Sequence, residues 1–193
     1  DLRQFFFVIN SAPYEKNMHV IACEPEFAAL IDDERMLALV QMTQAQGMVF
    51  LFINDTERAD VMNADGVLLD KFDDIKTARD ILGDERIVGL RCGLDIDAGE
   101  TAVNNGADFV SFHTSNGALT DPKIAAIWST LSTKPCLMEG PFTNDYVPTY
   151  ANAGATLLDV TDYIWEYSKG IMQATVNMLH AIELGLADEK IAN

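Results

Sequence analysis

Short apolar runs alternate along the chain with longer stretches in which apolar residues recur every three or four positions. The runs are rich in Val, Ile, Leu and Phe without strict alternation, which is typical of strands buried on both faces of a parallel sheet. The stretches between them have the period of amphipathic helices. The pattern therefore predicts eight strands, at residues 5–9, 20–23, 49–53, 67–69, 87–90, 109–112, 136–138 and 156–160.

Helices are predicted between several of these strands. Residues 33–46 and 74–82 each place their apolar side chains near one face. Residues 122–131 begin with a proline in the first helical turn, and Asp121 precedes it as a cap. A last helix, at about residues 167–186, carries an apolar stripe that is broad for a helix that only covers a sheet. That stripe either packs on the first strands or contacts a second copy of the chain, and we leave both interpretations open.

The alternation of strands and helices is compatible with a closed (β/α)8 barrel or with an open doubly wound sheet. Similar small-residue junctions precede three strands, at residues 63–66, 105–108 and 153–156, as in an internal αβ repeat. No GxGxxG motif follows the first strand, which disfavours the dinucleotide-binding sheet. We therefore predict a single (β/α)8 barrel domain over residues 1–193.

The first crossover of this predicted barrel is irregular. Only eight residues separate Asn10 from His19, whereas a connection between parallel strands takes about a dozen or more. The whole chain, at 193 residues, is also short for a barrel of about 250 residues. We expect that the first crossover helix is unusually short or that residues are missing from the sequence between Asn10 and His19.

Charge and cysteine usage narrow the range of functions. The chain carries 13 Lys and Arg against 30 Asp and Glu, a formal net charge of −17. Such a charge repels phosphate backbones and anionic lipids, so we expect neither nucleic acid nor a membrane as a partner. The three cysteines are widely spaced and form no CxxC pair. This usage favours free thiols in a reducing compartment, and we expect a cytoplasmic protein.

The middle of the chain contains specific motifs. Residues 52–55 (FIND), 64–67 (ADGV), Asp73, 78–83 (ARDILG) and 87–89 (IVG) follow one another in a characteristic order. In order and spacing they resemble the thiamine-phosphate synthase family, which shares this pattern with its sister group, a thiazole tautomerase. The resemblance covers about residues 49–164, where it continues through 106–109 (GADF) and 153–155 (AGA).

This resemblance implies a (β/α)8 barrel and a Mg²⁺-dependent transferase. The family joins a pyrimidine pyrophosphate to a thiazole phosphate, a step of thiamine biosynthesis. Asp55 and Asp73 match the family's metal-binding carboxylates, and Asn54 matches a residue that would orient the pyrimidine or the diphosphate. Asp is also a good helix N-cap, so a capping role for Asp55 and Asp73 stays open beside the metal role.

The family's phosphate-binding motifs are altered in this chain. Its late glycine loop reads Met-Glu-Gly-Pro here, so that Glu139 replaces a glycine and Pro141 lacks an N–H donor. Gly140 remains, and we expect it to be a substrate-binding residue. Two functions therefore stay open. The chain is a thiamine-phosphate synthase-like transferase, or it is a catalytically degenerate member that binds another small ligand or serves as a regulatory or partner-binding subunit.

Three further residues are candidates for binding the small-molecule ligand. Lys71 and Arg91 lie at strand ends, where they either bind an anionic group or pair with the surrounding Asp and Glu residues. His113 also ends a strand, and it acts as an acid or base or is a hydrogen-bonded loop residue.

Overall fold

The computed structural model describes residues 5–10 and 19–189. Its strands are β1 (Phe5–Asn10), β2 (His19–Cys23), β3 (Val49–Ile53), β4 (Gly66–Leu69), β5 (Ile87–Arg91), β6 (Phe109–Phe112), β7 (Cys136–Met138) and β8 (Leu157–Asp159). Its helices are α1 (Pro25–Ala28), α2 (Asp33–Ala45), α3 (Thr56–Val61), α4 (Asp74–Leu82), α5 (Ile96–Asn104), α6 (Pro122–Leu131), α7 (Val147–Asn152), α8 (Thr161–Glu166) and α9 (Ile171–Glu189). The predicted strands and the helices at 33–46, 74–82 and 122–131 are confirmed to within one or two residues.

The last predicted helix is wrong in its extent. The predicted start, at about residue 167, falls in a break between α8 and α9, where the backbone at Tyr167 is extended and Gly170 has a positive φ of 90°. Helix α8 ends before this break, and α9 begins at Ile171. Glycine adopts that backbone conformation at little steric cost, so the break is placed at Gly170.

Strands β2 to β8 run parallel in chain order and form a curled sheet with helices in the connections. Strand β1 differs, because it pairs antiparallel with both β2 and β8. The predicted α/β fold on parallel strands is confirmed, whereas the full (β/α)8 barrel is not. The physical reason is the short connection after Asn10, which allows an antiparallel return but no parallel crossover. Residues 11–18, where we expected the first crossover helix, lie outside the described residues.

The side chains of the strands alternate between two apolar clusters. One cluster consists of strand residues alone, among them Leu51, Ile53 and Leu68, and fills the concave side of the sheet. Their neighbours Phe50 and Phe52 belong to the larger cluster, which also includes residues of the helices. Both faces of the strands are therefore buried, as the continuous apolar runs predict.

The small-residue junctions have a repeated geometry. The Asp65 carboxylate accepts a hydrogen bond from the backbone N–H of Phe50 at 2.7 Å, and the Asp108 carboxylate accepts one from Val88 at 3.0 Å. In both junctions the alanine before the aspartate is buried. The aspartate thus ties the start of one strand to the start of its neighbour, which accounts for two of the three junctions, since the junction at residues 153–156 has no aspartate.

Within residues 5–10 and 19–189, no helix combines the length and the apolar character needed to cross a membrane. The three cysteines are free thiols. Burial raises the pKa of Cys23 to about 12 and those of Cys92 and Cys136 to about 11. Thiols with such pKa values stay protonated at neutral pH and are poor nucleophiles.

Candidate active site

A cavity of about 550 Å³ opens at the edge of the sheet where the parallel strands end. Ligand sites of α/β folds lie at this edge, because the loops that follow the strands converge there. The chemistry of the cavity is acidic, with five carboxylates around one arginine. Its principal polar and charged residues are Glu24, Asp70, Arg91, His113, Thr114, Glu139, Asp159, Thr161 and Asp162.

The Arg91 guanidinium lies among three of these carboxylates. Its Nε is 2.8 Å from Glu139 Oε1, one Nη is 3.2 Å from Asp70 Oδ1, and the other is 3.7 Å from Glu24 Oε1. Only 13% of the Arg91 side chain is exposed. Burial opposes its charged form, but Glu139 and the other carboxylates more than offset this and raise the pKa of Arg91. Arg91 therefore holds a fixed positive charge that is already paired.

Hydrogen bonds fix Glu139, the partner of Arg91, on both its side chain and its backbone. The Ser111 hydroxyl donates a hydrogen bond of 2.5 Å to the same Oε1 atom that Arg91 contacts. The backbone N–H of Glu139 donates to the carbonyl oxygen of Phe112 at 2.9 Å, and the Thr120 hydroxyl donates to the Glu139 carbonyl at 3.2 Å. Glu139 is thus a built part of the cavity floor and not a mobile surface acid.

Asn54 and Asp70 fix each other at the rim. The Asn54 side-chain amide donates to Asp70 Oδ2 at 2.6 Å, and the backbone N–H of Asp70 donates to Asn54 Oδ1 at 2.8 Å. Asn54 has a positive φ of 55°, a conformation that asparagine tolerates better than most residues. This reciprocal pair holds the Asp70 carboxylate beside Arg91.

Asp159 is the most deeply placed acid of the cavity. Burial raises its pKa from 3.8 to about 7, although hydrogen bonds from Thr161 partly stabilise the ionised form. Those bonds come from the Thr161 backbone N–H at 3.0 Å and its hydroxyl at 2.5 Å. Burial also raises the pKa of Glu24, against the opposing effect of Arg91. The cavity therefore contains acids that change protonation state nearer to neutral pH than exposed ones.

The structure brings together three of the predicted ligand-binding residues. Arg91, His113 and Gly140 line the cavity, and Asn54 reaches it through Asp70. Lys71 is exposed and is not among the lining residues. The sequence left open whether Arg91 binds an anionic group or pairs with acids, and the structure shows the pairing with acids. Its affinity for a ligand stays a prediction.

His113 contributes a buried polar atom to the cavity. Its backbone N–H donates to the Gly93 carbonyl at 2.9 Å. Its Nδ1 atom is buried and makes no hydrogen bond to the residues that the structure describes. The side chain itself is half-buried and lines the cavity, so its Nε2 edge is the part that can meet a ligand.

The two predicted metal ligands do not line the cavity. The Asp55 carboxylate accepts a hydrogen bond of 3.0 Å from the Arg58 backbone N–H and caps α3. Asp73 is exposed at the start of α4. Within the described ranges, no group of three or more His, Cys, Asp or Glu side chains is placed to hold a metal ion.

Three of the converging carboxylates, those of Glu24, Asp70 and Glu139, are already paired with Arg91, so this donor set does not fit a resident divalent cation. The metal role of Asp55 and Asp73 stays a prediction.

Three of the acids that shape the cavity are not among the predicted site residues, although Asp159 is recognised in the sequence as negative charge near the phosphate site. Glu24 and Asp70 each follow the last residue of a strand directly, and Asp159 interrupts an apolar run. An acid at the end of a parallel strand is a sequence signal for the site, because the carboxyl ends of parallel strands share one edge. Their convergence on Arg91 depends on pairs that are distant in the chain and is not visible in any local motif.

Several known proteins that resemble this chain are thiamine-phosphate synthases. The chain is 29% identical over 159 residues to the thiamine-phosphate synthase of Hyphomonas neptunium, covering 78% of this chain and 71% of that protein. It is 29% identical over 150 residues to the thiamine-phosphate synthase of Rhodospirillum centenum, with 72% of each chain covered. The solved structure of thiamine phosphate pyrophosphorylase from Pyrococcus furiosus superposes with a TM-score of 0.71 at 18% identity, covering 86% and 84% of the two chains. The sequence matches no protein-family model.

The fold and the cavity define an α/β protein with a site at the carboxyl edge of a curled parallel sheet. Within that class, the motifs at residues 52–89 and the likeness to the curated relatives support membership in the thiamine-phosphate synthase family.

The raised pKa of Asp159 predicts how stability depends on pH. The folded protein binds this proton more tightly than the unfolded chain, so the contribution of Asp159 to the free energy of unfolding falls as pH rises from about 4 to about 7. We expect Asp159→Asn, which can still accept the Thr161 hydrogen bonds, to gain stability relative to the wild type by up to about 4 kcal/mol between pH 4 and 8. Urea unfolding across this range measures the difference. A difference that does not change with pH contradicts the assignment.

The Asp55 cap of α3 predicts how substitutions of Asp55 change the stability of the protein. Asp55→Ala should lower the free energy of unfolding by about 1 kcal/mol, whereas Asp55→Ser, which retains a capping oxygen, should stay close to the wild type. Thermal unfolding with and without Mg²⁺ and inorganic pyrophosphate separates this role from a metal role. If Asp55 only caps the helix, the wild type and Asp55→Ser respond equally to Mg²⁺. A response of the wild type that Asp55→Ser lacks would establish the metal role instead.

Proposed function

We propose that the chain acts in thiamine biosynthesis as a protein of the thiamine-phosphate synthase type, with the pyrimidine and the thiazole taken up in the 550 Å³ cavity. The observation that carries this proposal is the position of the cavity at the carboxyl edge of the sheet, in a chain whose curated relatives bear that name. A complete barrel, a cytoplasmic location and contact between copies through α9 stay predictions.

The chemistry of the proposed transfer suits an acidic cavity in one respect. The bond between the pyrimidine methylene carbon and the diphosphate oxygen breaks, and the diphosphate leaves with the electron pair. The ring nitrogen of the thiazole then donates its pair to that carbon, and this nitrogen becomes a quaternary cation. Positive charge develops on the pyrimidine and is retained on the thiazole. The carboxylates of Glu24, Asp70 and Asp159 lie where they can stabilise such charge.

The same acids disfavour the two anionic substrates, and this favours a second candidate function. Arg91 is the permanent cation among the described lining residues, and its charge is shared by three carboxylates. Two like charges about 4 Å apart repel by about 4 kcal/mol at an effective dielectric constant of about 20. Pro141 offers no N–H donor to a phosphate. These features support a family member that has lost the transfer and binds another small ligand or a partner.

Growth and binding measurements decide between the two candidates. If the transfer is retained, the chain restores growth without thiamine to cells that lack thiamine-phosphate synthase. The pyrimidine pyrophosphate and the thiazole phosphate then stabilise the protein by about 2.7 kcal/mol at a hundred times Kd. Failure of growth, together with no thermal shift from either ligand, removes the transferase and leaves the second candidate. Asp159→Asn serves as a folded variant with an altered cavity in the same assays.

The pairing of Glu139 with Arg91 predicts a gain of anion binding. Glu139→Gln removes the carboxylate nearest to Arg91 and frees part of its charge. We expect the affinity for thiazole phosphate or inorganic pyrophosphate to rise about tenfold or more, since roughly 1.4 kcal/mol is one decade. Glu57→Gln, on the exposed face of α3, is the matched control and should leave the affinity unchanged. Isothermal titration measures both, and equal affinities in the two variants contradict the electrostatic argument.

A further inference from the structure

The chain contains two Asn-Gly pairs, Asn105–Gly106 after α5 and Asn116–Gly117 in the loop after β6. In such a pair the backbone nitrogen of the glycine can attack the side-chain amide carbon of the asparagine, because glycine has no Cβ to obstruct the approach. The folded structure decides whether these two atoms can meet. The two pairs differ in this respect, so each serves as a reference for the other.

At Asn116 the side chain is folded toward the glycine that follows it. Its Oδ1 atom accepts a hydrogen bond of 3.1 Å from the backbone N–H of Ala118, so the side-chain amide turns to the C-terminal side, where the Gly117 nitrogen lies. Residues 115–118 are exposed. Apart from the chain neighbours of Gly117, no heavy atom of the described residues lies within 4 Å of the place that a Cβ would take there. The space that a succinimide ring needs is therefore open.

At Asn105 the side chain is held on the opposite side. Its amide donates to the Thr101 carbonyl oxygen at 2.8 Å, one turn back along α5. The Gly106 carbonyl oxygen accepts a hydrogen bond from Arg79 Nε at 2.8 Å, and the Arg79 side chain lies 3.5 Å from the place that a Cβ of Gly106 would take. The helix therefore fixes the asparagine while Arg79 fixes the glycine, and both contacts oppose ring closure.

We propose that Asn116 is a site of spontaneous modification, at which the side-chain amide is converted through a succinimide to aspartate and isoaspartate. The Gly117 N–H, which donates to the Thr114 carbonyl oxygen at 3.1 Å, leaves that bond when the exposed turn opens, and hydroxide removes its proton. The nitrogen pair then forms a bond to Asn116 Cγ, and the Ala118 N–H stabilises the negative charge that develops on Oδ1. The side-chain nitrogen takes a proton from water and leaves as ammonia. A further water opens the ring at either carbonyl carbon and gives aspartate or isoaspartate.

The product adds one negative charge to the rim of the 550 Å³ cavity. Gly117 and Ala118 line this cavity, which already contains five Asp and Glu side chains. Isoaspartate also carries the main chain through the side-chain carbon, which lengthens the loop by one methylene. The cavity wall therefore becomes more acidic as the protein ages. The inference goes beyond the proposed function, because the modification needs no transfer reaction.

The test incubates the full chain in mildly alkaline buffer, both folded and unfolded in guanidinium chloride. Chymotrypsin, which cleaves between the two pairs after Phe109 and Phe112, then gives peptides in which mass spectrometry measures each conversion separately. We expect the folded chain to lose the Asn116 amide about tenfold faster than the Asn105 amide. In guanidinium chloride the two rates should agree to within about twofold, because the contacts that distinguish the pairs are lost. Labelling by an isoaspartyl methyltransferase with S-adenosylmethionine identifies the isoaspartate product.

Variants assign the modification to one residue. Asn116→Gln should abolish most of the methyltransferase labelling of the folded chain, because glutamine would have to close a larger ring. Asn105→Gln is the matched control at the other pair, and its labelling should stay within about twofold of the wild type. The inference is overturned if the folded chain loses both amides at equal rates or if the faster loss at Asn116 persists in guanidinium chloride. Labelling of Asn116→Gln that equals the wild type contradicts it as well.

Discussion

The contact between Arg91 and the carboxylates around it organises the functional edge of this protein. One guanidinium connects the end of β5 to Glu24 after β2, Asp70 after β4 and Glu139 after β7. Because the Arg91–Glu139 pair is largely buried, loss of the guanidinium leaves Glu139 as an uncompensated charge, at a cost of about 3–5 kcal/mol. The strand ends are therefore held in register by charge as well as by backbone hydrogen bonds. Asn54 and Ser111 complete the cluster by fixing Asp70 and Glu139.

The same contact determines which ligands the cavity accepts. A phosphate site of a barrel presents uncommitted N–H groups and small residues to a dianion. Here the cation is committed to carboxylates, and Glu139 lies where the sequence resemblance implies a glycine. The cavity lies at the carboxyl edge of the sheet, and most of its charged lining residues are acids. The position of the cavity follows from the fold, whereas a few side chains decide the charge of the ligand that it accepts. Likeness to a family therefore does not decide the substrate.

The sequence predicted the elements of this fold well, because burial on both faces leaves a clear apolar run for each strand. The directions of the strands were harder to predict. The run at residues 5–9 identified a strand, but its antiparallel pairing depends on the length of the following connection and on β8, far along the chain. Asp55 shows a similar limit. A carboxylate before a helix suits both a cap and a metal ligand, and the 3.0 Å contact with the Arg58 N–H shows the cap, while the metal role stays a prediction.

The candidate site was predictable in its location but not in its charge balance. Arg91 was recognised at a strand end, yet its partners Asp70 and Glu139 lie 21 and 48 residues away. Side chains at that separation meet only because parallel strands bring their carboxyl ends to one edge. The pair Tyr163 and Tyr167 illustrates the same principle, since these side chains come from α8 and the residue after it, while the Asn177 amide that donates to both hydroxyls comes from α9. The acids of the cavity act together, because Glu139 and Asp162 both raise the pKa of Asp159. A ligand that neutralises one of these acids therefore changes the electrostatic field at the others.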